Sequence, residues 1–188
     1  MASPCASGGS GPEPARALLA LGGNLGDRAA TLGEALRRLD ALPGSRLAGV
    51  SPAYDTDPVG PPGQPTYLNL CAALDTGLGP RELLAAALGV ERELGRVRAE
   101  RDGPRTCDID LLFHSAAPRV DEPGLVLPHP RWRLRAFVVV PLGQLLQSGA
   151  LAGDPRWDEL RAETARLRMA TDGLRPWTGP TPWATRPT

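Results

Sequence analysis

The sequence is poor in cysteine, has no long apolar run and carries no excess of either charge. Its three cysteines, with no CxxC pair among them, argue against a disulfide framework and against a zinc site. No stretch approaches the roughly 18 apolar residues of a membrane span, and the first residues lack the basic and apolar regions of a secretory signal. Basic and acidic residues number 21 each, which argues against broad nucleic-acid binding but leaves room for one small anionic ligand. We therefore expect a cytoplasmic protein that binds neither membrane nor nucleic acid.

Length and composition indicate one folded domain between two low-complexity ends. The chain has 188 residues, of which 41% are hydrophobic, and this is enough for one core. Glycine and proline, with 22 and 21 residues, are concentrated near both ends. We predict a disordered leader over residues 1–16, a folded domain over 17–170 and a low-complexity tail over 171–188. Two tryptophans of that tail, Trp177 and Trp183, leave docking and disorder both open.

Apolar periodicity predicts an alternation of strands and helices within the domain. The predicted strands are 17–22, 46–54, 67–76, 108–113 and 137–140, and the predicted helices are 26–42, a helix opened by Pro80, and 154–168. The order β-α-β-β-α-β is typical of the ferredoxin-like arrangement. The expected fold class is therefore α+β, with a ferredoxin-like-derived antiparallel sheet covered by helices in three α-β-α layers.

An acidic pair, Asp108 and Asp110, lies in the predicted strand 108–113. Alternation along a strand places both carboxylates on one face and Ile109 on the other. Two such carboxylates repel each other unless a cation bridges them, and magnesium that carries nucleotide phosphates suits this ligand set. The alternative is a pair of solvated acids on an exposed strand. Cys107, just before the pair, is predicted to be a small core residue, with a reactive thiol as the alternative.

Four arginines precede the acidic pair in a segment that also contains glycine and proline. They are Arg96, Arg98, Arg101 and Arg105. Guanidinium groups bind phosphate oxygens in bidentate geometry and stay charged. Acids for a metal ion beside arginines for phosphate are typical of phosphoryl transfer. A solvated loop, paired with its own acidic residues, is the alternative.

Three further segments have a more ambiguous composition. The segment 128–137 carries a second basic cluster beside His129, which suits either a phosphate contact or a helix start. The segment 54–69 mixes aromatic, amide and turn residues that suit a flat heterocycle, although a loop packed on its own core has the same composition. The glycine-rich segment 22–27 lacks the spacing of a dinucleotide-binding motif, so we predict a tight strand-to-helix turn. A P-loop motif is also missing from the sequence.

Taken together, five segments resemble the 6-hydroxymethyl-7,8-dihydropterin pyrophosphokinase family. They occur in order over residues 17–147 and read GGNLGD, YDTDPVGPPGQPTYLN, ExxxGRVR, GPRTCDIDLLF and LPHPRWRLRAF. Each segment alone is unspecific, whereas the ordered set is highly specific. The resemblance implies transfer of the pyrophosphoryl group of ATP to the hydroxymethyl pterin, which gives AMP and the pterin diphosphate in folate biosynthesis. ATP would be the co-substrate, and we expect a monomer.

The resemblance also implies a role for individual positions. Asp108 and Asp110 would bind two magnesium ions, and Arg96 and Arg105 would be the catalytic arginines that hold the transferred phosphates. Positions that match the ATP site are Glu91, Arg98, Leu111, His129 and Arg135. Positions that match the pterin pocket are Thr56, Asp57, Val59, Tyr67, Asn69 and Phe137.

The sequence departs from the family pattern at two positions. Gly23 stands where the family usually has serine, and we expect little effect because glycine supplies the turn geometry. Asp102 stands where many members have a tryptophan that folds over the pterin, and an aspartate offers no stacking face. Two other functions remain as alternatives to the pyrophosphokinase. One is a different magnesium-dependent nucleotide transferase, and the other is a non-catalytic ferredoxin-like binding module.

Overall fold

The computed structural model describes residues 14–59, 62–96, 103–167, 171 and 173–183. The strands are β1 (Ala15–Gly23), β2 (Ser45–Val50), β3 (Tyr54–Thr56), β4 (Tyr67–Thr76), β5 (Asp108–His114), β6 (Val120–Glu122), β7 (Leu125–Leu127) and β8 (Leu174–Pro176). The helices are α1 (Arg28–Asp40), α2 (Pro80–Glu93), α3 (Ala136–Leu146) and α4 (Asp158–Arg166). Within this part of the chain, no helix has the length and apolar character to cross a membrane.

The long strand β4 organises an antiparallel sheet. One edge of β4 pairs with β1 along its whole length, from Thr76 opposite Ala15 to Leu68 opposite Gly23. The other edge pairs with β2 and then with β3, one after the other. The strand order is β5-β1-β4-β3-β8, with β2 beside β4. A separate hairpin is formed by β6 and β7.

Helices cover both faces of the sheet and give the expected three layers. One core lies between the sheet and helices α1 and α2, and includes Leu19, Leu36 and Leu83. A second core lies on the opposite face against α3 and α4, and includes Leu18 and Leu142. Because Leu18 and Leu19 are neighbours on β1 and enter different cores, the alternation of the strand is used on both faces.

The glycine-rich segment after β1 is the tight turn that its spacing predicts. Gly26 has φ of 66°, a left-handed conformation that glycine adopts without steric cost. The side chain of Asp27 then caps α1 by accepting a hydrogen bond from the backbone N–H of Ala30 over 3.0 Å. The chain therefore reverses from strand to helix in a few residues.

The prediction of a strand at residues 137–140 is wrong, because this segment is the first half of α3. The run of three valines has high strand propensity, but propensity yields to tertiary packing. In α3 the side chains of Val138, Leu142 and Leu145 are buried at helical spacing against the sheet. The predicted helix 154–168 also differs in detail, since a 3-10 turn over Pro155–Trp157 precedes α4.

Two other segments differ from the sequence prediction. The predicted strand 46–54 is divided into β2 and β3, with residues 51–53 between them. Residues 173–183, predicted to be part of a low-complexity tail, contribute β8 and dock on the domain. Trp177 and Trp183 are half-buried against the α1/α2 core, so the question of docking or disorder is decided for these side chains in favour of docking.

The two cysteines in the described residues are core residues. Cys71 and Cys107 are fully buried and free. Burial raises the pKa of the Cys107 thiol to about 12, with the nearby Glu91 and Asp108 carboxylates adding to the effect. The thiol therefore stays protonated near neutral pH, and the alternative of a reactive Cys107 loses its support.

Candidate active site

The register of the sheet brings the predicted metal-binding acids and the predicted pterin residues together across β1. Gly22 pairs with Asn69 of β4 on one side and with Asp108 of β5 on the other. Two residues earlier, Ala20 pairs with Asp110. Because β1 carries only small side chains at these positions, the polar groups of β4 and β5 flank an open floor. A Cβ atom at Gly22 would overlap Oδ1 of Asn69.

A cavity of about 220 Å³ lies over this floor, on the face of the sheet that is covered by α3. Its walls come from β1, β3, β4, β5 and the start of α3. The lining residues that the sequence predicted are Thr56, Asp57, Val59, Tyr67, Asn69, Arg105, Asp108, Asp110, Arg135 and Phe137. All six predicted pterin residues therefore border the same space as both predicted metal ligands.

The two carboxylates lie on one face of β5, as alternation predicts, and arginines pair with both of them. Asp108 binds Arg96 through Oδ1 and accepts a hydrogen bond from Nη1 of Arg105 through Oδ2, over 2.6 Å. Asp110 accepts a hydrogen bond from Nη1 of Arg135 over 2.9 Å. The repulsion expected between the carboxylates is thus offset by three guanidinium groups. The sequence reasoning had assigned Arg96 and Arg105 to phosphate and Arg135 to the ATP site.

Arg105 is held at the centre of the site from several directions. Its backbone N–H donates to Oδ1 of Asn24 over 2.8 Å, and its guanidinium carbon lies 5.8 Å from the centroid of the Tyr67 ring. Burial disfavours the charged guanidinium, but the Asp108 carboxylate and Tyr67 outweigh this and raise the pKa of Arg105. Arg105 is therefore a fixed cation between the acidic pair and the expected pterin pocket.

Glu91 and Leu111, two of the predicted ATP-site residues, do not line the cavity. The carboxylate of Glu91 is 2% exposed, accepts the backbone N–H of Ile109 over 2.7 Å, and pairs with Arg96. Burial raises the pKa of Glu91 despite these contacts. Leu111 is buried in the α1/α2 core, on the far face of β5. Glu91 thus fixes the position of β5 and Arg96, and a nucleotide contact of either predicted residue stays a prediction.

His129 lies beside the acidic pair. Its Nε2 atom is 3.9 Å from Oδ2 of Asp110, and its backbone N–H donates to the carbonyl oxygen of Leu112 over 2.9 Å. Burial lowers the pKa of His129, although the charge of Asp110 acts in the opposite direction. The ring is therefore mainly neutral at pH 7, and it offers a hydrogen bond to a ligand instead of a permanent charge.

The expected pterin residues form the other half of the cavity. The side-chain amide of Asn69 donates to Oγ1 of Thr56 over 2.7 Å, and both residues are buried. The hydroxyl of Tyr67 lies 3.0 Å from the carbonyl oxygen of Gly103, and so it ties the Arg105 segment to β4. Phe137 adds an aromatic side chain from α3, and Val59 is 75% exposed at the edge of the cavity.

Two of the cavity residues that the sequence reasoning left without a role come from the segment 128–137. Arg131 and Leu134 belong to the basic cluster around His129 but had no role assigned. Leu134 is 78% exposed, which is unusual for a leucine. None of the described carboxylates forms an ion pair with Arg131, unlike Arg96, Arg105 and Arg135. The sequence signal that could have pointed to Arg131 is the spacing of Arg131, Arg133 and Arg135. Residues two apart on a turn face different sides, so at least one of these arginines was to be expected at the site.

The donor set of the acidic pair fits magnesium in the presence of a phosphate ligand. Carboxylate oxygens are hard ligands, and protein sites for Mg²⁺ commonly supply one or two carboxylates and leave the remaining positions to substrate phosphates and water. Among the residues described, no group of three or more His, Cys, Asp or Glu side chains could hold a metal by itself. Asp108 and Asp110 therefore suit an ion that arrives with its nucleotide. Arg98, Arg101 and Asp102, which the sequence analysis singled out, lie outside the described residues.

Comparison with known proteins agrees with this arrangement. The model of the family described as 7,8-dihydro-6-hydroxymethylpterin-pyrophosphokinase (HPPK) matches residues 18–147. The chain belongs to this family. The matched segment contains every residue that the sequence predicted for the site, from Thr56 to Phe137.

Curated relatives carry the name 2-amino-4-hydroxy-6-hydroxymethyldihydropteridine pyrophosphokinase. The protein from Methylorubrum extorquens is 46% identical over 139 residues, which cover 74% of this chain and 87% of the relative. The protein from Pseudomonas aeruginosa is 45% identical over 130 residues, which cover 69% of this chain and 80% of the relative. The Bacillus subtilis protein is 35% identical over 161 residues, which cover 86% of this chain and 89% of the relative.

Solved structures of HPPK-DHPS share the fold at low sequence identity. A structure of HPPK-DHPS in complex with substrates has a TM-score of 0.52 at 12% identity and covers 79% of this chain. A triple mutant of Plasmodium falciparum HPPK-DHPS with pteroate has a TM-score of 0.58 at 13% identity and covers 87%. The present chain spans only 41% and 47% of those two chains. The likeness supports the α+β fold of the family.

Proposed function

We infer that the protein transfers the β,γ-pyrophosphoryl group of ATP to the hydroxymethyl group of 6-hydroxymethyl-7,8-dihydropterin, a step of folate biosynthesis. The observation that carries this inference is the register across β1, with Asn69 and Asp108 on either side of Gly22. Neighbouring strands are about 4.8 Å apart, so these two residues are separated by roughly 10 Å across the sheet. This distance suits a substrate that is recognised as a heterocycle at one end and receives phosphate at the other.

The pterin half of the cavity supplies an amide, a hydroxyl and two aromatic rings. Asn69 and Thr56 hydrogen-bond each other, and the oxygen of the Asn69 amide stays available as an acceptor for a ring N–H. Phe137 and Tyr67 offer apolar ring surface to a flat ligand. A reduced pterin, with N–H donors along one edge, matches this set of groups.

The phosphate half of the cavity supplies the acidic pair and its arginines. Asp108 and Asp110 would hold magnesium, expected as two ions, with ATP as the co-substrate. When bound, magnesium neutralises phosphate charge and so favours attack on phosphorus. The reaction forms a bond between the hydroxymethyl oxygen and the β-phosphorus, breaks the bond from the β-phosphorus to the oxygen bridging the α- and β-phosphates, and leaves AMP. The hydroxyl proton passes to solvent.

The arginines exchange partners when the nucleotide binds. Without ATP, they neutralise Asp108 and Asp110 directly. With magnesium held by these carboxylates, Arg96, Arg105 and Arg135 would be available to the phosphates of ATP. The exchange leaves few charges unpaired in either state, which limits the cost of desolvating them. It also keeps Arg105, next to Tyr67, at the junction of the two halves, where the transferred group passes.

An assay of AMP release from ATP tests this function. Release should depend on 6-hydroxymethyl-7,8-dihydropterin and on magnesium. Asp108→Asn and Asp110→Asn should each lower turnover by about 100-fold or more, because each removes a charge that stabilises the transition state through the metal. Asp121→Asn, at an exposed position on the β6–β7 hairpin, is the matched control and should retain full turnover.

The same assay separates the alternative functions. A different nucleotide transferase would act on ATP without the pterin, and a binding module would release no AMP with either substrate. Near-native turnover of both Asp variants would contradict the metal assignment while leaving the reaction class in place. The monomeric state expected from the sequence stays a prediction, as does the cytoplasmic location.

A further inference from the structure

The residues after α4 add a strand to the edge of the sheet that carries the pterin half of the cavity. Residues 173–183 comprise β8 and the two docked tryptophans, and we call them the C-terminal clasp. They lie outside residues 18–147, the segment that the family model matches. β8 pairs with β3 in antiparallel register, with Leu174 opposite Thr56. Since Thr56 lines the cavity, the clasp is one strand away from the site.

Backbone hydrogen bonds attach the clasp to both ends of β3. The backbone N–H of Asp57 donates to the carbonyl oxygen of Gly173 over 3.1 Å. At the other end, the N–H of Trp177 donates to the carbonyl oxygen of Ala53 over 2.9 Å. β3 has only three residues, and without β8 it would be a short edge strand with unpaired backbone groups. The clasp thus fixes the backbone that presents Thr56 and Asp57.

Side chains add to these backbone contacts at Asp57. Nη2 of Arg175 donates to Oδ1 of Asp57 over 2.7 Å. Both side chains are more than half exposed, and such a pair is weak alone. Gly173 has φ of 78°, and a Cβ atom there would lie 2.6 Å from Oδ2 of Asp57. The left-handed backbone therefore favours glycine at this position, and an added Cβ would also push the exposed Asp57 carboxylate aside.

Trp177 connects the clasp to the segment that follows β3. The ring packs against the α1/α2 core and lies 5.4 Å from the guanidinium carbon of Arg28. Nη1 of Arg28 donates to Oδ1 of Asp55 over 2.5 Å and to the carbonyl oxygen of Thr66 over 3.0 Å. Arg28 therefore joins β3 to the start of β4, and Trp177 covers the arginine that does so.

We propose that the C-terminal clasp is a positioning element for the pterin half of the site. The clasp acts through Thr56 and Asp57, because its strand pairing and its contacts to Asp57 are made to β3 and the ends of that strand. The proposal rests on the proposed function, since it concerns the substrate of that same cavity. Thr56 in turn holds the amide of Asn69, so a displaced β3 would misplace the group expected to recognise the pterin edge. Misplacement by about 1 Å is enough to change ligand recognition severalfold or more.

Point variants of the 188-residue chain test the proposal, because they should change the KM for the pterin and leave the KM for ATP unchanged. Gly173→Ala should raise the KM for the pterin about tenfold, and Arg175→Ala about threefold. The KM for ATP and the kcat at saturating pterin should stay within twofold of the wild type. Arg175→Lys keeps the charge and should restore most of the loss. The matched controls are Gly153→Ala, where a Cβ meets nothing within 4 Å, and Arg37→Ala, an exposed arginine of α1; both should leave all constants unchanged.

Hydrogen exchange and direct binding distinguish failure of this proposal from failure of the proposed function. The amide of Asp57 should exchange faster in Gly173→Ala than in the wild type, whatever the chain catalyses. Calorimetric titration with 6-hydroxymethylpterin should show binding by the wild type and about tenfold weaker binding by Gly173→Ala. A wild type that binds no pterin overturns the proposed function. The positioning role is overturned if the wild type binds the pterin and the variants bind it with equal affinity. It is also overturned if the variants raise the KM for ATP as much as the KM for the pterin.

Discussion

Two adjacent glycines at the end of β1 serve different purposes. Gly22 keeps the floor of the cavity open, because a Cβ there would overlap the Asn69 amide. Gly23 permits a close approach of another backbone, since its Cβ would overlap the carbonyl oxygen of Thr106. The sequence predicted only a tight turn here. Glycine at position 23, where the family usually has serine, was expected to have little effect. The structure changes that expectation, because the backbone that approaches Gly23 leads directly to Arg105.

We expect Gly23→Ala to reduce both stability and turnover. The new methyl group would displace residues 105–106, whose carbonyl oxygen at Arg105 accepts the N–H of Asn24 over 2.9 Å. Overpacking of this kind costs about 1–3 kcal/mol, and the accompanying shift of Arg105 should lower kcat by about tenfold or more. Urea denaturation and steady-state kinetics measure the two effects. Gly153→Ala, at an open position, serves as the control, and wild-type behaviour of Gly23→Ala would show that the contact relaxes without cost.

Arg131 is expected to contribute to ATP binding through its free charge. It lines the cavity, and among the described residues it has no carboxylate partner to leave before it meets a phosphate. Arg131→Gln should raise the KM for ATP by about fivefold, and the effect should shrink at high ionic strength because salt screens exposed charges.

Arg133 provides a matched control on the same turn. Its guanidinium donates to Oε1 of Glu163 over 2.5 Å and lies 4.7 Å from the centroid of the Trp132 ring, away from the cavity. Arg133→Gln removes the same charge and should leave the KM for ATP unchanged. Equal effects of the two variants would mean that only the net charge of the domain matters.

At the scale of elements, sequence patterns identified the long segments and failed at short segments and at the apolar start of α3. The elements β1, β4, β5, α1 and α2 were placed within a few residues, because an apolar run or a periodic apolar pattern extends over each whole element. The first residues of α3 are apolar on every side, so a window of four residues could not distinguish strand from helix. The continuation to Leu142 and Leu145 shows the helical period, and this is the signal that would have decided it.

Other elements could not be predicted because their partners are distant in sequence. β8 has three residues, one of them Pro176, and proline is accepted there since the strand lies at the sheet edge. Only the pairing with β3, more than a hundred residues earlier, defines it. The β6–β7 hairpin did leave a local signal, a Pro123-Gly124 turn in which Gly124 has φ of 80°.

His114 makes the junction between β5 and α2 sensitive to pH. Nε2 of the buried ring donates to the carbonyl oxygen of Leu78 over 3.1 Å, whereas Nδ1 is buried without a partner in the described structure. Protonation would place an unsatisfied N–H and a charge in the interior, and burial accordingly lowers the pKa of His114. The neutral form therefore stabilises the fold fully above the unfolded-state pKa of about 6.5. This contribution is lost as the pH falls below that value towards the folded-state pKa.

Comparison with His114→Gln isolates this contribution, because a glutamine amide can donate to Leu78 but does not titrate. All other groups, including His129, are common to both proteins. The free energy of unfolding of the wild type relative to the variant should fall by about 1 kcal/mol or more between pH 7.5 and pH 5.0, within the limit of about 1.4 kcal/mol per pH unit. Chemical denaturation at the two pH values measures it. A constant difference would show that the ring stays neutral in both states or finds water when charged.

On the scale of the whole molecule, the two faces of the sheet have different tasks. The α1/α2 face is closed by apolar side chains from helices and strands. The α3 face is apolar only at one end of β1, β4 and β5, and the other end of the same strands carries the polar groups of the cavity. Strand alternation predicted that Asp108 and Asp110 share a face. It could not predict that Arg135 binds Asp110, since that contact depends on how α3 is packed.

The pairing of each acid with arginine leads to a prediction for ligand-induced stabilisation. Magnesium alone must displace arginines from the two carboxylates without offering them a phosphate in exchange, so it should change the melting temperature little. ATP without magnesium meets arginines that are still held by carboxylates, and it should also have a small effect. An α,β-methylene analogue of ATP, inert because the bond to be broken is blocked, should stabilise strongly when magnesium is present, and further when the pterin is added.

The size of this effect follows from mass action. A ligand at 100 times its Kd adds about 2.7 kcal/mol to the free energy of unfolding, and for a domain of this size this corresponds to a rise of roughly 5–10 °C in melting temperature. Asp110→Asn should lose the joint effect of magnesium and nucleotide, while Asp121→Asn should keep it. Strong stabilisation by magnesium alone would show that the carboxylates bind metal without releasing arginines to phosphate. The exchange of partners proposed for the site would then be wrong, even if the enzyme released AMP as expected.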